Sequence, residues 1–250
     1  MSDPPISTII PTLNMGRFLP DAVGSIMRQK IKVHEILIID SGSSDATEAI
    51  AAKLRDDGAP ISFIQTDTHS PAAARNVGLS RARGEMIGFL DADDIWPENK
   101  LQRQLARMDQ APMPHVVSGF VKYFNLLDAD KLAPAENSRI ETLFHVHLGA
   151  YLFKRSLFEK IGVFDETFIY AEDVDLQFRI REQRIPFAIM REVTLYYRRH
   201  PDSMMSRNHP RKKLDFHRSI ARSLARRRAG GAEPVDLDPL ETFMDPEVPV

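Results

Sequence analysis

The chain has 250 residues, of which 43% are hydrophobic, and a formal net charge of −2 at pH 7. Such a chain is long enough for one well-packed domain, and we expect a single core. It contains no cysteine, which excludes disulfides, thiol nucleophiles and thiolate metal sites. Oxygen or imidazole ligands must therefore hold any metal, which favours Mg²⁺ or Mn²⁺.

The first hundred residues alternate short β-branched runs with segments of helical period, a pattern typical of βαβ units. Strands are predicted at 6–10, 35–39, 61–65 and 86–90. Helices are predicted between them, for the apolar stripe from Phe18 to Met27, for a capping box of Asp45 and Glu48, and for an N-cap at Ser70. These elements predict a mostly parallel sheet flanked by helices.

The second half of the chain is less regular. Extended segments are expected at 115–124, 143–153, 187–190 and 193–199, and helices at 156–161 and 171–183. Residues 125–137 form a polar stretch between them. The whole pattern predicts an α/β fold with a mixed sheet.

Polar side chains follow the first, second and fourth strands, at the point where each strand ends. They are Asn14, Asp40, Asp91, Asp93 and Asp94. Ligands of doubly wound sheets bind beyond the carboxyl ends of the strands, where the loops converge. We therefore expect these side chains to share one crevice.

Two of these acids form the sequence Asp91-Ala92-Asp93, directly after an apolar strand. Carboxylates two residues apart can share a divalent cation together with diphosphate oxygens. The alternative is a solvated Asp-rich turn. Asp40 can accept from a ribose hydroxyl or from the imino N–H of a pyrimidine, although it also suits a turn.

Five motifs occur in the order and approximate spacing found in family two inverting glycosyltransferases, which this chain resembles from Ile6 to Ser206. The motifs are Ile9 to Asn14, Ile39 to Asp45, Ala74 to Gly78, Phe89 to Asp94, and Gly162 to Glu166 followed by Glu172 to Leu176. Ser41 is a small departure, because many relatives carry a second Asp there. The resemblance implies a GT-A fold, a Rossmann-like mixed sheet with flanking helices.

The resemblance also implies roles for individual residues on the donor side. Pro11 and Thr12 would line the nucleoside pocket, with Asn14 as a further substrate contact in the same loop. Asp40 would contact the base, and Arg75 would lie near the base or the diphosphate, where its fork can pair with phosphate.

The resemblance makes Asp93 the principal metal ligand and Asp91 a contact shared by the ribose and the metal. His200 would join the metal shell or contact the leaving diphosphate, unless it is an ordinary loop histidine. His145 and His147 alternate on an extended segment without an evident third ligand, so we interpret them as acceptor-side or structural residues.

Glu172 and Asp173 lie at the start of a predicted helix. Acids in a first turn interact favourably with the helix dipole, which is a sufficient structural explanation. The resemblance instead makes Asp173 the general base that deprotonates the acceptor, with Glu172 as a substrate contact. Attack from the face opposite the leaving group would invert the anomeric centre.

We expect a GT-A domain at 1–210, with a nucleotide-binding half at about 6–110 and an acceptor half at about 111–206. Residues 211–228 hold eight Arg or Lys and one Asp, and predict a basic amphipathic helix. Phe216, Ile220 and Leu224 would form its apolar stripe, opposite Arg218, Arg222 and Arg226. The helix either lies on an anionic membrane surface or docks on the domain.

The acidic, proline-containing residues 229–250 predict a disordered tail. No run approaches the roughly 18 apolar residues of a membrane span, and no signal peptide is evident, so we expect a cytoplasmic protein. Nucleic acid is not an expected partner, because aromatic residues are not interleaved with the basic ones. The oligomeric state is left open.

We therefore expect inverting transfer of a sugar from a nucleotide-diphospho-sugar to a hydroxyl acceptor in cell-surface polysaccharide or glycolipid synthesis. UDP is the expected nucleotide; dTDP and GDP remain open. One alternative is a sugar nucleotidyltransferase, but 11–17 lack the glycine-rich loop with Arg and Lys that such enzymes carry. The other is a catalytically silent protein that binds nucleotide sugars.

Overall fold

A mixed β-sheet forms the centre of the computed structural model, which describes residues 3–206, 209–229 and 236–246. In chain order its strands are β1 (Ile6–Thr12), β2 (Glu35–Asp40), β3 (Ile61–Gln65), β4 (Met86–Phe89), β5 (Val116–Phe124), β6 (Leu127–Asp128), β7 (Ala133–Pro134), β8 (Glu141–Leu143), β9 (Leu152–Lys154) and β10 (Phe187–Arg198). The helices are α1 (Leu19–Met27), α2 (Thr47–Asp56), α3 (Pro71–Arg81), α4 (Lys100–Met108), α5 (Ser156–Ile161), α6 (Glu172–Glu182) and α7 (Arg211–Ala229). Short 3₁₀ turns occur at Leu148–Ala150 and Leu240–Phe243.

The strand order of the main sheet is β3-β2-β1-β4-β9-β5-β10, with β8 added beside β5. Neighbouring strands from β3 to β4 are parallel, whereas β9 runs antiparallel to both β4 and β5. Every residue of β2 and β4 is buried, as expected for parallel strands covered on both faces. This confirms the α/β fold and the mostly parallel sheet.

Helices α1 and α3 position the loops that follow the strands. The apolar stripe of α1 is buried at Leu19, Ala22, Val23 and Ile26, as its spacing predicts. In α3 a Cβ at Gly78 would lie 2.4 Å from a side-chain carbon of Ile9, so only glycine permits this close approach to β1. The predicted N-cap is confirmed, because Ser70 Oγ accepts from Ala73 N at 3.2 Å.

The predicted capping box is wrong. Helix α2 begins at Thr47, and its N-cap residue, Ala46, makes no side-chain cap hydrogen bond. Asp45 accepts instead from Gly16 N at 3.1 Å and from Thr47 N at 3.0 Å. Its carboxylate therefore joins the loop after β1 to the loop after β2.

Two expectations for the second half also differ from the structure. The stretch 143–153 is not continuously extended, because His147 Nδ1 accepts from Gly149 N and the chain turns at Leu148–Ala150. The segments expected at 187–190 and 193–199 form one strand, β10, which shifts register against β5 between Ile189 and Leu195.

Helix α7 docks on the domain against α6. The residues buried on it are Asp215, Ser219 and Ser223, so its docked face is polar. Arg226 ion-pairs with Asp175 at 2.9 Å, which places the basic stripe against acids of the domain. Over the described residues, no helix combines the length and apolar character that crossing a bilayer requires.

Residues 236–246, expected to belong to a disordered tail, instead pack on the domain. The Phe243 ring lies 5.5 Å from that of Phe187, and Asp245 N donates to Ile189 O at 2.8 Å. Arg107 Nε also donates to the Asp245 carboxylate at 2.8 Å. Aromatic contact and a charged hydrogen bond hold this segment, features that the tail's acidic composition did not indicate. The rest of the expected tail, 230–235 and 247–250, lies outside the described residues.

Candidate active site

The carboxyl ends of β1, β2 and β4 meet at one edge of the sheet. Thr12 and Asp40 are direct partners at the ends of β1 and β2, and Asp91 lies two residues beyond the end of β4. The N-terminus of α6, with Glu172 and Asp173, approaches the same edge from the second half of the chain.

The loops after β1 and β2 lock together beside Asp40, which is 1% exposed. Its carboxylate accepts from Ser43 N at 3.0 Å and from Ser43 Oγ at 2.5 Å. Asn14 adopts a left-handed conformation, φ 55°, and its side-chain oxygen accepts from Ser44 N at 2.8 Å. The structure thus brings together four residues predicted to bind substrate, namely Pro11, Thr12, Asn14 and Asp40.

Within this group, Thr12 is 5% exposed and its hydroxyl has no hydrogen-bond partner among the described residues. A buried polar group without a partner is costly, and a ligand can supply one. The roles of these four residues toward a nucleotide stay predictions.

Arg75 joins the two halves of the site. Its side chain is 5% exposed, and it donates to Asp91 Oδ1 at 2.7 Å and to Glu172 Oε1 at 2.5 Å. Burial favours loss of its proton, but the two carboxylates outweigh this effect and raise the pKa of Arg75. The guanidinium is therefore a charged bridge between the first Asp of the Asp-Ala-Asp motif and α6. Its predicted contact with the nucleotide remains untested.

Asp93 and His200 form the second close contact of the site. His200 Nε2 lies 2.9 Å from Asp93 Oδ2, although 107 residues separate them. Their side chains are 9% and 18% exposed, for His200 and Asp93 respectively. The end of β10 thus brings His200 to the Asp-Ala-Asp motif.

A second group lies deeper and contains Asp91, Asp94 and His147, whose nearest oxygen and nitrogen atoms are all within 4.8 Å of one another. Asp94 is 1% exposed; its Oδ1 accepts from Arg198 N at 3.0 Å, and its Oδ2 has no partner among the described residues. Burial, then the charges of Asp93 and Asp91, raise the pKa of Asp94 well above its ordinary value.

His147 lies between these carboxylates with Nε2 3.7 Å from Asp91 and 3.8 Å from Asp94. Burial lowers the pKa of His147 to about 4, so the ring is neutral at pH 7. Its Nδ1 accepts from Gly149 N at 3.2 Å, which assigns the single proton to Nε2. In this tautomer His147 presents an N–H to the carboxylates.

Asp93, Asp91 and His200 form the donor set predicted to hold a divalent cation, although the three ligand atoms that lie close together among the described residues are those of Asp91, Asp94 and His147. The predicted set offers carboxylate oxygens and an imidazole, which suit Mn²⁺ or Mg²⁺ with phosphate oxygens completing the shell. Asp91 keeps the ionised form that ligation needs: burial would raise its pKa, but Arg75 and His147 hold that pKa below its ordinary value.

Glu172 and Asp173 have unusual acidity. Burial raises the pKa of Glu172 to about 7, against the opposing charge of Arg75. Burial also raises the pKa of Asp173 to about 6, although Val174 N donates to its Oδ1 at 2.8 Å. A carboxylate with a pKa near 6 is a stronger base than an ordinary aspartate and is still ionised at pH 7.

Aromatic rings form a wall beside the acids that the sequence did not reveal. Tyr197 lies 5.0 Å from Tyr123 and 5.3 Å from His147, measured between ring centroids. Tyr123 and Tyr197 are paired across β5 and β10. The sequence shows that each tyrosine lies on an extended segment, but it does not show that these two distant strands pair and bring the rings together.

Solved structures share the fold of this chain. S. aureus TarS 1-349 in complex with UDP-GlcNAc superimposes with a TM-score of 0.72 at 21% identity, over 88% of this chain and 66% of that one. A mannosyltransferase from Pyrobaculum calidifontis, PcManGT, in complex with GDP-Man and Mn²⁺, gives 0.64 at 18% identity, over 92% of this chain and 77% of that one. The fold is therefore the GT-A fold.

Residues 7–170 match the model of Glycosyl transferase family 2, and the chain belongs to that family. The uncharacterized glycosyltransferase EpsJ of Bacillus subtilis (strain 168) is 28% identical over 216 residues, which cover 80% of this chain and 63% of EpsJ. TuaG of the same organism, provisionally named as a teichuronic acid biosynthesis glycosyltransferase, is 33% identical over 118 residues, 47% of each chain. The chain spans less than two thirds of the length of these relatives.

Proposed function

We propose that this chain transfers a sugar from a UDP-sugar to a hydroxyl acceptor with inversion at the anomeric carbon. The observation that carries the proposal is the Arg75 bridge, which holds the metal-binding motif and the N-terminus of α6 in one crevice. Family membership supports the same reaction class. A donor site and a base on opposite sides of that crevice are what a single displacement requires.

In this mechanism Asp173 accepts the proton of the acceptor hydroxyl. The acceptor oxygen forms a bond to the anomeric carbon as the bond from that carbon to the diphosphate oxygen breaks. The bonding electrons leave with the nucleoside diphosphate. A bound Mn²⁺ or Mg²⁺ supplies Lewis-acid stabilisation of the diphosphate charge, and Asp93, Asp91 and His200 would hold it.

UDP is the proposed nucleotide. The Asp40 carboxylate only accepts hydrogen bonds, so it suits the imino N–H of uracil, and thymine equally. A solved complex of TarS holds UDP-GlcNAc, which favours uracil, whereas the complex of PcManGT holds GDP-Man and keeps GDP as the alternative. The relative named for teichuronic acid biosynthesis supports an acceptor in a cell-surface polymer.

We also propose a cytoplasmic protein that contacts the membrane peripherally through exposed residues of α7. Leu214 is 54% exposed and Phe216 is 46% exposed on that helix, and the basic side chains of Lys213 and Arg228 are exposed with them. Apolar residues flanked by cations suit an anionic lipid surface. An acceptor linked to lipid would then be presented at the crevice.

The test measures the binding of nucleoside diphosphates and nucleotide sugars by thermal shift, with and without Mn²⁺. A ligand that binds only the native state raises the melting temperature by an amount that grows with the logarithm of one plus the ratio of ligand concentration to Kd. The proposal expects a metal-dependent rise for UDP and its sugars. A protein that responds to no nucleotide contradicts it. A protein that binds donor but in which Asp173→Asn leaves transfer unchanged is not using the proposed base.

A further inference from the structure

Helix α7 carries a buried carboxylate that the reaction above does not use. Asp215 is fully buried, and its Oδ2 accepts from Ile169 N at 3.1 Å and from Tyr170 N at 3.2 Å. Its Oδ1 accepts from Arg218 Nη1 at 2.9 Å. The helix lies beyond residue 170, where the match to the family model ends.

The two amides that Asp215 holds come directly before the acids of α6. The next residue, Ala171, has φ 63°, a left-handed conformation that costs energy for any residue with a Cβ. Such a conformation persists only where the surroundings fix it. Glu172 and Asp173 follow at once, so the orientation of both carboxylates depends on this turn.

Other contacts from α7 hold the same segment on both sides of the turn. Upstream, Arg222 ion-pairs with Asp165. Downstream, Arg226 pairs with Asp175 at 2.9 Å and with Glu182 at 2.7 Å, both on α6. Helix α7 therefore fixes the acceptor-side segment before, at and after Asp173.

We infer that α7 is a strap that positions the base, and that Asp215 is the positioning residue within it. The inference rests on the proposed function, because it takes Asp173 as the base. Without Asp215 the amides of Ile169 and Tyr170 lose their acceptor, and the left-handed turn at Ala171 loses its support. The Asp173 carboxylate then spends less time in the reactive geometry, whereas the nucleotide pocket at Asp40 is unaffected.

The experiment compares Asp215→Ala with Ser219→Ala in the full chain. Ser219 is a matched control, because it is equally buried on the same face of α7 and its hydroxyl donates only to Phe216 O within the helix. For Asp215→Ala we expect kcat to fall about 10- to 100-fold, the scale of a misplaced catalytic group. Donor affinity and the Ser219→Ala rate should stay within about twofold of wild type.

Asp215→Asn adds a readout that a purely structural role does not move. Its amide oxygen can still accept from both amides, so we expect it to recover most of the lost kcat even though the charge pair with Arg218 is gone. A stability role would instead follow the ion pair, and Asp215→Asn would resemble Asp215→Ala. A folded Asp215→Ala enzyme with a wild-type kcat overturns the inference, as does an equal loss in Ser219→Ala.

Amide hydrogen exchange separates failure of this inference from failure of the proposed function. In Asp215→Ala we expect faster exchange confined to the segment from Ile169 to Val174, whichever reaction the chain catalyses. Unchanged exchange there overturns the strap. If Asp215→Ala does not fold, Arg226→Gln takes its place, because the Arg226 side chain is one-third exposed and anchors the other end of the strap. Wild-type kcat and wild-type amide exchange in Arg226→Gln would also overturn the inference.

Discussion

Arg75 donates to Asp91 at 2.7 Å and to Glu172 at 2.5 Å, so one buried guanidinium neutralises acids from two distant parts of the chain. Removal of one partner from a buried ion pair leaves an uncompensated charge, which costs more than the pair itself contributes. The contribution of this ion pair to the free energy of unfolding therefore depends on pH.

Arg75→Met should lower the free energy of unfolding by about 3–5 kcal/mol at about pH 8 and by less at about pH 6. In wild type the pKa of Glu172 is already raised to about 7, and it rises further without Arg75. A folded-state pKa above the unfolded one means that stability is present at low pH and is lost as pH rises through the folded pKa. Denaturant titrations at the two pH values measure the difference.

The control for that experiment is Arg83→Met. Arg83 also pairs with a buried acid, Glu35, at 2.8 Å, but its own side chain is 69% exposed. Water can compensate Glu35 more readily, so the loss should be clearly smaller. Equal losses in the two variants contradict the assignment of Arg75 as the buried bridge.

Asp173 sets the expected pH dependence of transfer. Because burial raises its pKa to about 6, the base is protonated at lower pH and kcat should fall about tenfold per unit below that value. Above it, kcat should reach a plateau. Asp173→Asn should remove transfer while donor binding persists. The pH profile is measured at saturating donor and metal. If kcat of the wild type does not fall at low pH, another residue is the base.

Asp93→Asn should lower kcat about 100-fold or more at saturating Mn²⁺, since it removes the proposed carboxylate ligand of the metal that would stabilise the leaving group. The thermal shift by UDP should lose its dependence on Mn²⁺ in the same variant. Asp57→Asn, at an exposed position after α2, is the control and should change neither quantity. A metal-dependent shift that survives in Asp93→Asn points instead to Asp91 and its neighbours as the ligand set.

The nucleotide half was predictable because its signals are local. Each β-branched run of the first hundred residues became a strand, and the parallel order placed Asp40 and Asp91 at the same edge. The contact between Asp94 and His147 was not predictable in this way. The 3₁₀ turn that aims His147 at Asp94 depends on an amide contact within the loop and on packing between distant strands, and neither has a periodic signature.

The orientation of helix α7 was also not predictable from the sequence. Its period predicted an apolar stripe and a basic stripe, but a pattern does not say which stripe faces the domain. Arg226 faces inward because it pairs with Asp175 and Glu182 on α6. The sequence of α7 does not indicate that these two acids are its partners. The partner of a charged face becomes visible only when the other element is in place.

The exposed residues of α7 should bind anionic vesicles. Co-sedimentation with phosphatidylcholine vesicles that contain phosphatidylserine should exceed that with phosphatidylcholine alone, and added salt should reduce it, because basic residues contribute about 1 kcal/mol each near such a surface. Leu214→Ser combined with Phe216→Ser should weaken binding about fivefold or more without lowering the melting temperature, since both side chains are about half exposed. Met113→Ser, an apolar residue 64% exposed outside this helix, is the matched control and should bind as wild type does. If the control loses as much, the contact is not confined to α7; if neither vesicle type binds, the exposed apolar residues serve a protein partner or none.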